Sequence, residues 1–388
     1  FVVVLPSEAR ADEAGIQELQ TIFNDMLEEY KVSVGDGAEL KLDGNVVVEE
    51  QDFYYSVTLP HMSFVSVSGD RTEIGIIAIN ALRGDEPDEW KMTMAIPTPI
   101  VHYSAEGKPL LTVDIGAQNF AGIFHTKFKN FIKQKANYQN VVVSSAETTH
   151  ELVIPDLKVV YDLVEDEEGR WTGPSEISAT DVLLKAPNKI GQTKIGKILM
   201  AVNVSEYSIE EALAYQEKLL ALTENQTAES LENPSQTHLK GMYNMVFDFL
   251  GSVWDGFLFK MVIEDLEISN PPMGAAGEGH FKLSKLAFGY AMEGFREKSV
   301  SMKFGFIFDG LDVGPITGDF GAATPTRMAM DLRINDLPYG EVVELGRTSI
   351  ETLAEAPQAA QMLGMQAVMT LPQLMTDAGT NFELKDTY

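Results

Sequence analysis

Chemistry in this chain would start from its histidines, and there are six: His61, His102, His125, His150, His238 and His280. They are scattered. A nucleophile needs a base and an orienting group within reach, and none of the six falls in such a signature. The sequence has no Gly-x-Ser-x-Gly elbow, no His-Glu-x-x-His zinc pair and no Gly-x-x-x-x-Gly-Lys-Ser/Thr phosphate cradle. Gly274, Gly277 and Gly279 come after Pro271-Pro272, but no helical pattern follows, so they read as a turn. The lack of cysteine excludes disulfides, thiolate metal sites and a cysteine nucleophile. Glu165-Asp166-Glu167-Glu168 clusters carboxylates of the kind that suit a hard cation. It lacks the spacing of a calcium loop and reads as a solvated hairpin tip. Asp156 and Asp265 are the scattered carboxylates left for an enzyme to use. The expectation is a non-enzymatic protein with no metal and no cofactor.

The 58 acidic residues outweigh 29 basic ones, for a formal charge of −29. A field of that sign opposes nucleic acid and anionic lipid surfaces, and it keeps a strand-rich chain soluble. One segment runs against it. His125, Lys127, Lys129, Lys133 and Lys135 are interleaved with Phe124, Phe128 and Phe131. Such a segment can snorkel at a headgroup layer or grip a phosphate; equally, it can be a solvated face whose aromatics point inward. Lys127, Lys129, Lys133 and Lys135 are the candidate surface for a peripheral envelope contact. Asn203-Val204-Ser205 and Asn225-Gln226-Thr227 match the glycosylation acceptor.

The elements that would position a site are mostly strands. Thr58-Leu59-Pro60-His61-Met62-Ser63-Phe64, Ala95-Ile96-Pro97-Thr98-Pro99-Ile100-Val101 and Val153-Ile154-Pro155-Asp156-Leu157-Lys158-Val159 each read as strand, proline, strand. Val262-Ile263-Glu264-Asp265-Leu266-Glu267-Ile268 keeps the flanks without the proline. Alternation puts every second side chain on one face, and proline belongs at an edge, a bulge or a strand start. Asp43-Gly44-Asn45, between Leu40/Leu42 and Val46/Val48, predicts a hairpin. Residues 117–138 interrupt the alternation and are expected to be helical or irregular. It returns in Val300, Met302, Phe304, Phe306 and Phe308, then in Met328, Met330, Leu332 and Ile334. Helices are expected over 12–30, from the Ser208 capping box for about 15 residues, from Asn233-Pro234, and near 347–364 and 369–376. Leu239, Met242, Tyr243, Val246, Phe249, Leu250, Val253 and Trp254 form an apolar helical stripe.

The expected fold is α+β: a long twisted antiparallel sheet of repeated strand–Pro–strand units with helices packed on one face. Residues 1–11 read either as a signal-peptide remnant ending in the small-x-small Ala9-Arg10-Ala11 or as a first strand. Residues 12–204 would form an N-terminal helix with a β-rich module, 205–256 a helical insertion, and 257–388 a second β-rich module with C-terminal helices. The short start and the strand in progress at Asp386-Thr387-Tyr388 suggest a fragment of a longer protein.

The strand–Pro–strand units, the helix after a signal-like segment, and Asp336-Leu337-Pro338-Tyr339 before a helix resemble one group. That group is uncharacterised proteobacterial envelope proteins of unknown function, distantly similar in strand pattern to AsmA-like, bridge-like lipid-transfer proteins. The resemblance covers most of the chain and transfers no catalytic residue. It implies a periplasmic or secreted location. A sheet lined by methionine and phenylalanine under a helix can hold an acyl chain. The expected groove takes Met242, Tyr243, Val246, Phe249 and Leu250 from the helix, and Met302, Phe304 and Phe306 from the sheet. The competing expectation is a structural or interaction protein of the envelope or extracellular matrix, whose apolar face is simply core.

Overall fold

A computed structural model describes residues 11–33, 37–146, 148, 150–186, 191–223, 236–269, 280–297, 299–313, 325–355 and 360–385. The apolar start at 1–10, the glycine-rich loop, Asn225-Gln226-Thr227, Asn233-Pro234 and the last three residues lie outside them. The fold is α+β, and all the described ladders are antiparallel.

The chain opens with α1 (Glu13–Ser33). Asp12 caps it, its Oδ1 accepting the Gly15 N–H at 2.8 Å, which satisfies one of the helix's orphan donors. Leu19, Phe23 and Leu27 fall at helical spacing and are buried. They lie on short strands: β1 (Glu39–Asp43), β2 (Val47–Glu50), β3 (Tyr55–Thr58), β4 (His61–Val65), β5 (Arg71–Gly75), β6 (Ala78–Arg83), β7 (Glu89–Ala95) and β8 (Ile100–Tyr103). Val57, Ala81 and Trp90 complete this core. Trp90 donates from Nε1 to Glu18 at 3.0 Å, lies 4.1 Å from the Arg83 guanidinium and meets Tyr55 edge-on at 5.4 Å. Gly15 allows α1 to come this close, because a Cβ there would sit 2.2 Å from the Tyr55 hydroxyl oxygen.

The hairpin expected around Gly44 does not pair. β1 joins β4 and β2 joins β3. Gly44 does make a turn at φ +102°, but Val46 is buried and its carbonyl accepts from Gln20 of α1. Seating Val46 under the helix takes β2 out of reach of β1.

β9 (Pro109–His125) is the hub. One of its edges is shared by β8, along 109–113, and β7, along 121–125. The Pro97/Pro99 segment crosses the gap between them. There the Gln118 amide replaces a ladder, accepting from the Ile96 N–H and donating to the Ile96 carbonyl. The other edge pairs with β10 (Asn130–Ser145). A meander continues through β11 (Glu151–Asp162), β13 (Trp171–Lys185), β14 (Gln192–Tyr207), β15 (Gly256–Ser269), β16 (His280–Glu293), β17 (Val300–Asp309), β18 (Arg327–Leu337) and β19 (Asn381–Lys385), with β12 (Val164–Glu165) a short return on β13. Residues 117–138 are therefore neither helical nor irregular apart from the turn near 126–129. Ala117, Asn119 and Gly122 are poor strand formers alone, but ladders on both sides outweigh propensity. Of the strand–Pro–strand units, those at Pro60 and Pro97 split into two strands, and those around Pro155 and Asp265 run unbroken.

Helices interrupt the meander twice. α2 (Ile209–Thr223) and α3 (Gln236–Val253) lie between β14 and β15, and α4 (Tyr339–Glu355) and α5 (Ala360–Asp377) between β18 and β19. The Ser208 hydroxyl caps α2 by accepting the Glu211 N–H. The four pack in sequence, α2 on α3, α3 on α4, α4 on α5. The broadest helix–strand contact belongs to α1, on β1, β2 and β3.

Candidate ligand-binding face

Residues directly paired in an antiparallel ladder share a face, so the registers show what each face of the meander carries. One rung reads Phe120, Ala136, Val159, Ile177, Met200, Met261, Phe288, Phe306, Met330. All nine are apolar, over a width of roughly 40 Å at the usual strand spacing. The next rung on that face reads Gln118, Tyr138, Leu157, Ala179, Ile198, Ile263, Leu286, Phe308, Met328. On the other side Val202, Phe259, Tyr290, Phe304, Leu332 and Leu384 align, and then Val204, Phe257, Met292, Met302, Ile334 and Phe382. From β14 onward this face is apolar without a break over four rungs.

A line of special backbone crosses the same strands. Asn140, Asp181, Asp265 and Gly310 have φ between 51° and 68°, on every second strand. Gly116, Pro155, Gly196 and Ser284 lie opposite them. The approach is close: a Cβ on Gly196 would sit 2.9 Å from the Asp265 Cβ, and one on Gly116 3.0 Å from the Asn140 Cβ. Beyond this line the apolar alternation resumes one residue out of phase, as Ile115, Val141, Ile195, Leu266, Leu283 and as Val113, Val143, Leu152, Leu184. An extended residue turns the next side chain to the opposite face. A left-handed residue breaks that alternation, so the apolar pattern slips by one residue at Asn140 in β10, Asp181 in β13 and Asp265 in β15.

The opposite face is marked by charge. Lys197, Glu264, Lys285, Asp309 and Arg327 pair in succession with strictly alternating sign. Lys194, Glu267, Lys282 and Asp312 do the same beyond the line. Lys285 reaches Glu264 at 3.2 Å and Lys282 reaches Glu267 at 3.4 Å. Each such pair contributes a fraction of a kcal/mol, but a register shift of one strand would unpair its charges from both neighbours at once.

Tyrosine ionisation reports on the apolar face. Burial among its neighbours raises the phenol pKa of Tyr138 and Tyr290 above the ordinary value and pushes that of Tyr161 up to about 12. Yet Ile177, Met200, Val202 and Met328 remain among the exposed large side chains. The face is apolar enough to desolvate a hydroxyl and open enough to be touched.

Met302, Phe304 and Phe306 stand in three successive rungs of this face. On α3, Phe249 meets Trp254 at 5.2 Å, and Trp254 meets Phe257 of the face at 5.5 Å. The helix thus abuts one end of the face through these rings. Leu250 is half-buried, while Met242, Tyr243 and Val246 are exposed. The lysine cluster sits at the β9–β10 turn and within β10. Lys127 binds Glu210, which raises its ammonium pKa, and Lys129 binds Glu29. Burial lowers the imidazole pKa of His125, which stacks on Phe128 at 4.3 Å. At the acidic tip, the Asp166 carboxylate accepts the Glu168 and Arg170 N–H groups, closing a turn. Among the described residues no cluster of three or more carboxylate or histidine groups is arranged to hold a metal, and no helix is long and apolar enough to cross a membrane.

Sequence reasoning missed a cavity of about 500 Å³ beneath α1, lined by Phe23, Met26, Leu27, Met62, Ile77, Met94 and Phe131 among others. Its signal was available, in the apolar face of α1 and the alternation of β4 and β7. No protein-family model matches the chain, and no curated protein matches it in sequence.

Proposed function

We propose that this chain is a non-enzymatic protein that binds lipid or another apolar ligand along the apolar face of its long sheet, in the periplasm or outside the cell. One observation carries the reading: an apolar band crosses nine paired strands, flanked by alternating charge on the opposite face, with large side chains left accessible along it. Such a continuous, partly exposed apolar surface is the kind that marks an interaction site. A band this long and narrow suits extended chains better than a rounded protein surface. Methionine and phenylalanine dominate its last strands, and methionine adapts to flexible partners. The ligand's seat is then the sheet itself. The helices border it, with α3 closing one end through Phe249 and Trp254, rather than roofing a groove between helix and sheet. The Ala9-x-Ala11 pattern motivates the proposed location.

The test is mass spectrometry of organic extracts from protein purified without detergent, beside the intact native mass. A stoichiometric lipid supports the reading and names the ligand class. A clean apo mass counts against it. A native mass at a multiple of the chain would then favour a structural or interaction protein, with the apolar face buried between copies.

A further inference from the structure

We infer that the cavity beneath α1 is a second, half-open seat, built for one long aliphatic chain whose polar head rests in the adjoining pocket at the C-terminal end of the helix. The inference rests on the reading that this protein takes apolar ligands, but it involves different residues. The cavity measures about 500 Å³, within the usual range for small-molecule sites. Its lining is almost wholly hydrocarbon, ring and thioether, with Met26, Met62 and Met94 able to adjust to a flexible chain. A void of this kind leaves its lining without contacts on one side, and dry engineered cavities of about 150 Å³ already take up apolar molecules.

What selects an amphiphile is the neighbouring pocket of about 770 Å³. The two pockets share Leu40, and consecutive residues of α1 divide between them, Tyr30 lining the apolar one and Lys31 the polar one. The polar pocket holds Lys31, Lys41, His61 and Arg71 together with Glu39, Asp43 and Glu73. Arg71 binds Glu73 Oε1 at 2.8 Å, whereas Glu73 Oε2 is buried without a hydrogen bond, 3.6 Å from His61 Nε2. An apolar slot next to a site whose lysines hold only exposed ion pairs, Lys31 with Glu28 and Lys41 with Glu39, and whose Glu73 Oε2 lacks a donor, fits a single-chain amphiphile. The lysines take an anionic head group, and the free oxygen takes the cation of a zwitterionic head or the proton of an acid. A free fatty acid and a lysophospholipid share that chemistry. Phe131 lines the cavity and meets Phe120, which begins the nine-strand rung, at 5.0 Å. This seat therefore adjoins the open face.

The experiment is photo-crosslinking of the wild-type chain with a diazirine-bearing fatty acid, mapped by peptide mass spectrometry and competed with oleate or with lysophosphatidylcholine. Labelling within residues 23–30, 59–79 and 92–94 is expected, and the better competitor identifies the head. Label confined to residues 198–334 overturns the cavity while leaving the open face standing. Label confined to the α1 region does the reverse, and no label overturns both. In parallel, Ile77→Trp and Met94→Trp, which fill the cavity, should weaken binding of cis-parinaric acid about tenfold or more. Glu167→Gln, at the exposed acidic tip and outside both seats, should leave it unchanged. Filled variants that melt like wild type and still bind the probe as tightly would also overturn the proposal. If they fail to fold, the wild-type crosslinks decide.

Discussion

Trp90 and Met200 are both apolar side chains on strands of the same sheet, yet Trp90 is 0% exposed and Met200 is 44% exposed. Trp90 lies under α1, where a helix, a salt-bridged arginine and a tyrosine enclose it. Met200 lies mid-meander, where its closest company is the neighbouring strands. The region around α1 is stabilised in the ordinary way, by burying side chains between two layers. The meander depends on its ladders, its charge registers and its half-buried rungs. Within one chain, apolar side chains serve as core in the first region, while in the second some are buried, as Val262 and Leu283 are, and others such as Met200 and Ile177 are left accessible.

The contrast breaks most sharply at Trp90. Trp90→Ala should cost about 3–5 kcal/mol, because it empties the centre of the α1 core and removes the ring that the Glu18 carboxylate and the Arg83 guanidinium contact. Chemical denaturation followed by circular dichroism checks the loss. A cost below 1 kcal/mol would mean that α1 does not stabilise its sheet in this way.

Gly15→Ala comes next. The added methyl would meet the Tyr55 ring and hydroxyl, and overpacking of this sort typically costs about 1–3 kcal/mol. Hydrogen exchange should rise along α1 and β3 while the meander keeps its protection. The same contact should weaken in acid. The Gly15 N–H, followed by the Tyr55 hydroxyl, holds the Asp12 carboxyl below its ordinary pKa. Its contribution is therefore complete above the unfolded value and is lost as pH falls through the folded one. Asp12→Asn should flatten that acid limb of the α1 melting profile.

Lys285→Glu tests the other region. It would place an acid between Glu264 and Asp309 in the charge ladder. Like charges directly opposite should destabilise by about 1 kcal/mol, and the loss should shrink as salt rises. An equal loss at all salt concentrations would point to packing instead of charge as the determinant of register.

The alternation of β15, β17 and β18, the spans of α1 and α2 and the antiparallel class could be read directly from the residues, because period and capping are local signals; the helices expected over 347–364 and 369–376 instead run Tyr339–Glu355 and Ala360–Asp377. Ser208 announced α2, and Phe304 and Phe306 announced their face. Three features could not be read locally. The partners of β1 and β2 depended on Val46 finding α1. Residues 117–138 needed ladders on both sides to become strand. The left-handed residues Asn140, Asp181 and Asp265 shift the apolar pattern of β10, β13 and β15 by one residue, so no single strand shows that the face is continuous. Only the register of all nine strands does. The candidate face is partly legible for the same reason: Met302, Phe304 and Phe306 can be read one by one from alternation, while the way α3 meets the sheet shows only in the ring contacts from Phe249 through Trp254 to Phe257.

The smallest expected effect is the most informative about function. Met200→Lys places a charge in the middle of the apolar rung. In a core, an unpaired buried lysine would cost several kcal/mol. On an accessible face its ammonium can snorkel to water, so stability should change by no more than about 0.5 kcal/mol. Lipid retained through purification should nevertheless fall, because the charge interrupts the band that an extended chain would follow. A matched pair of measurements, melting temperature and extractable lipid per chain, separates the alternatives. Unchanged melting with lost lipid is the behaviour of a binding surface. A large drop in melting temperature would instead return Met200 to the same class as Trp90, making the meander a core and removing the basis for an open lipid-binding face.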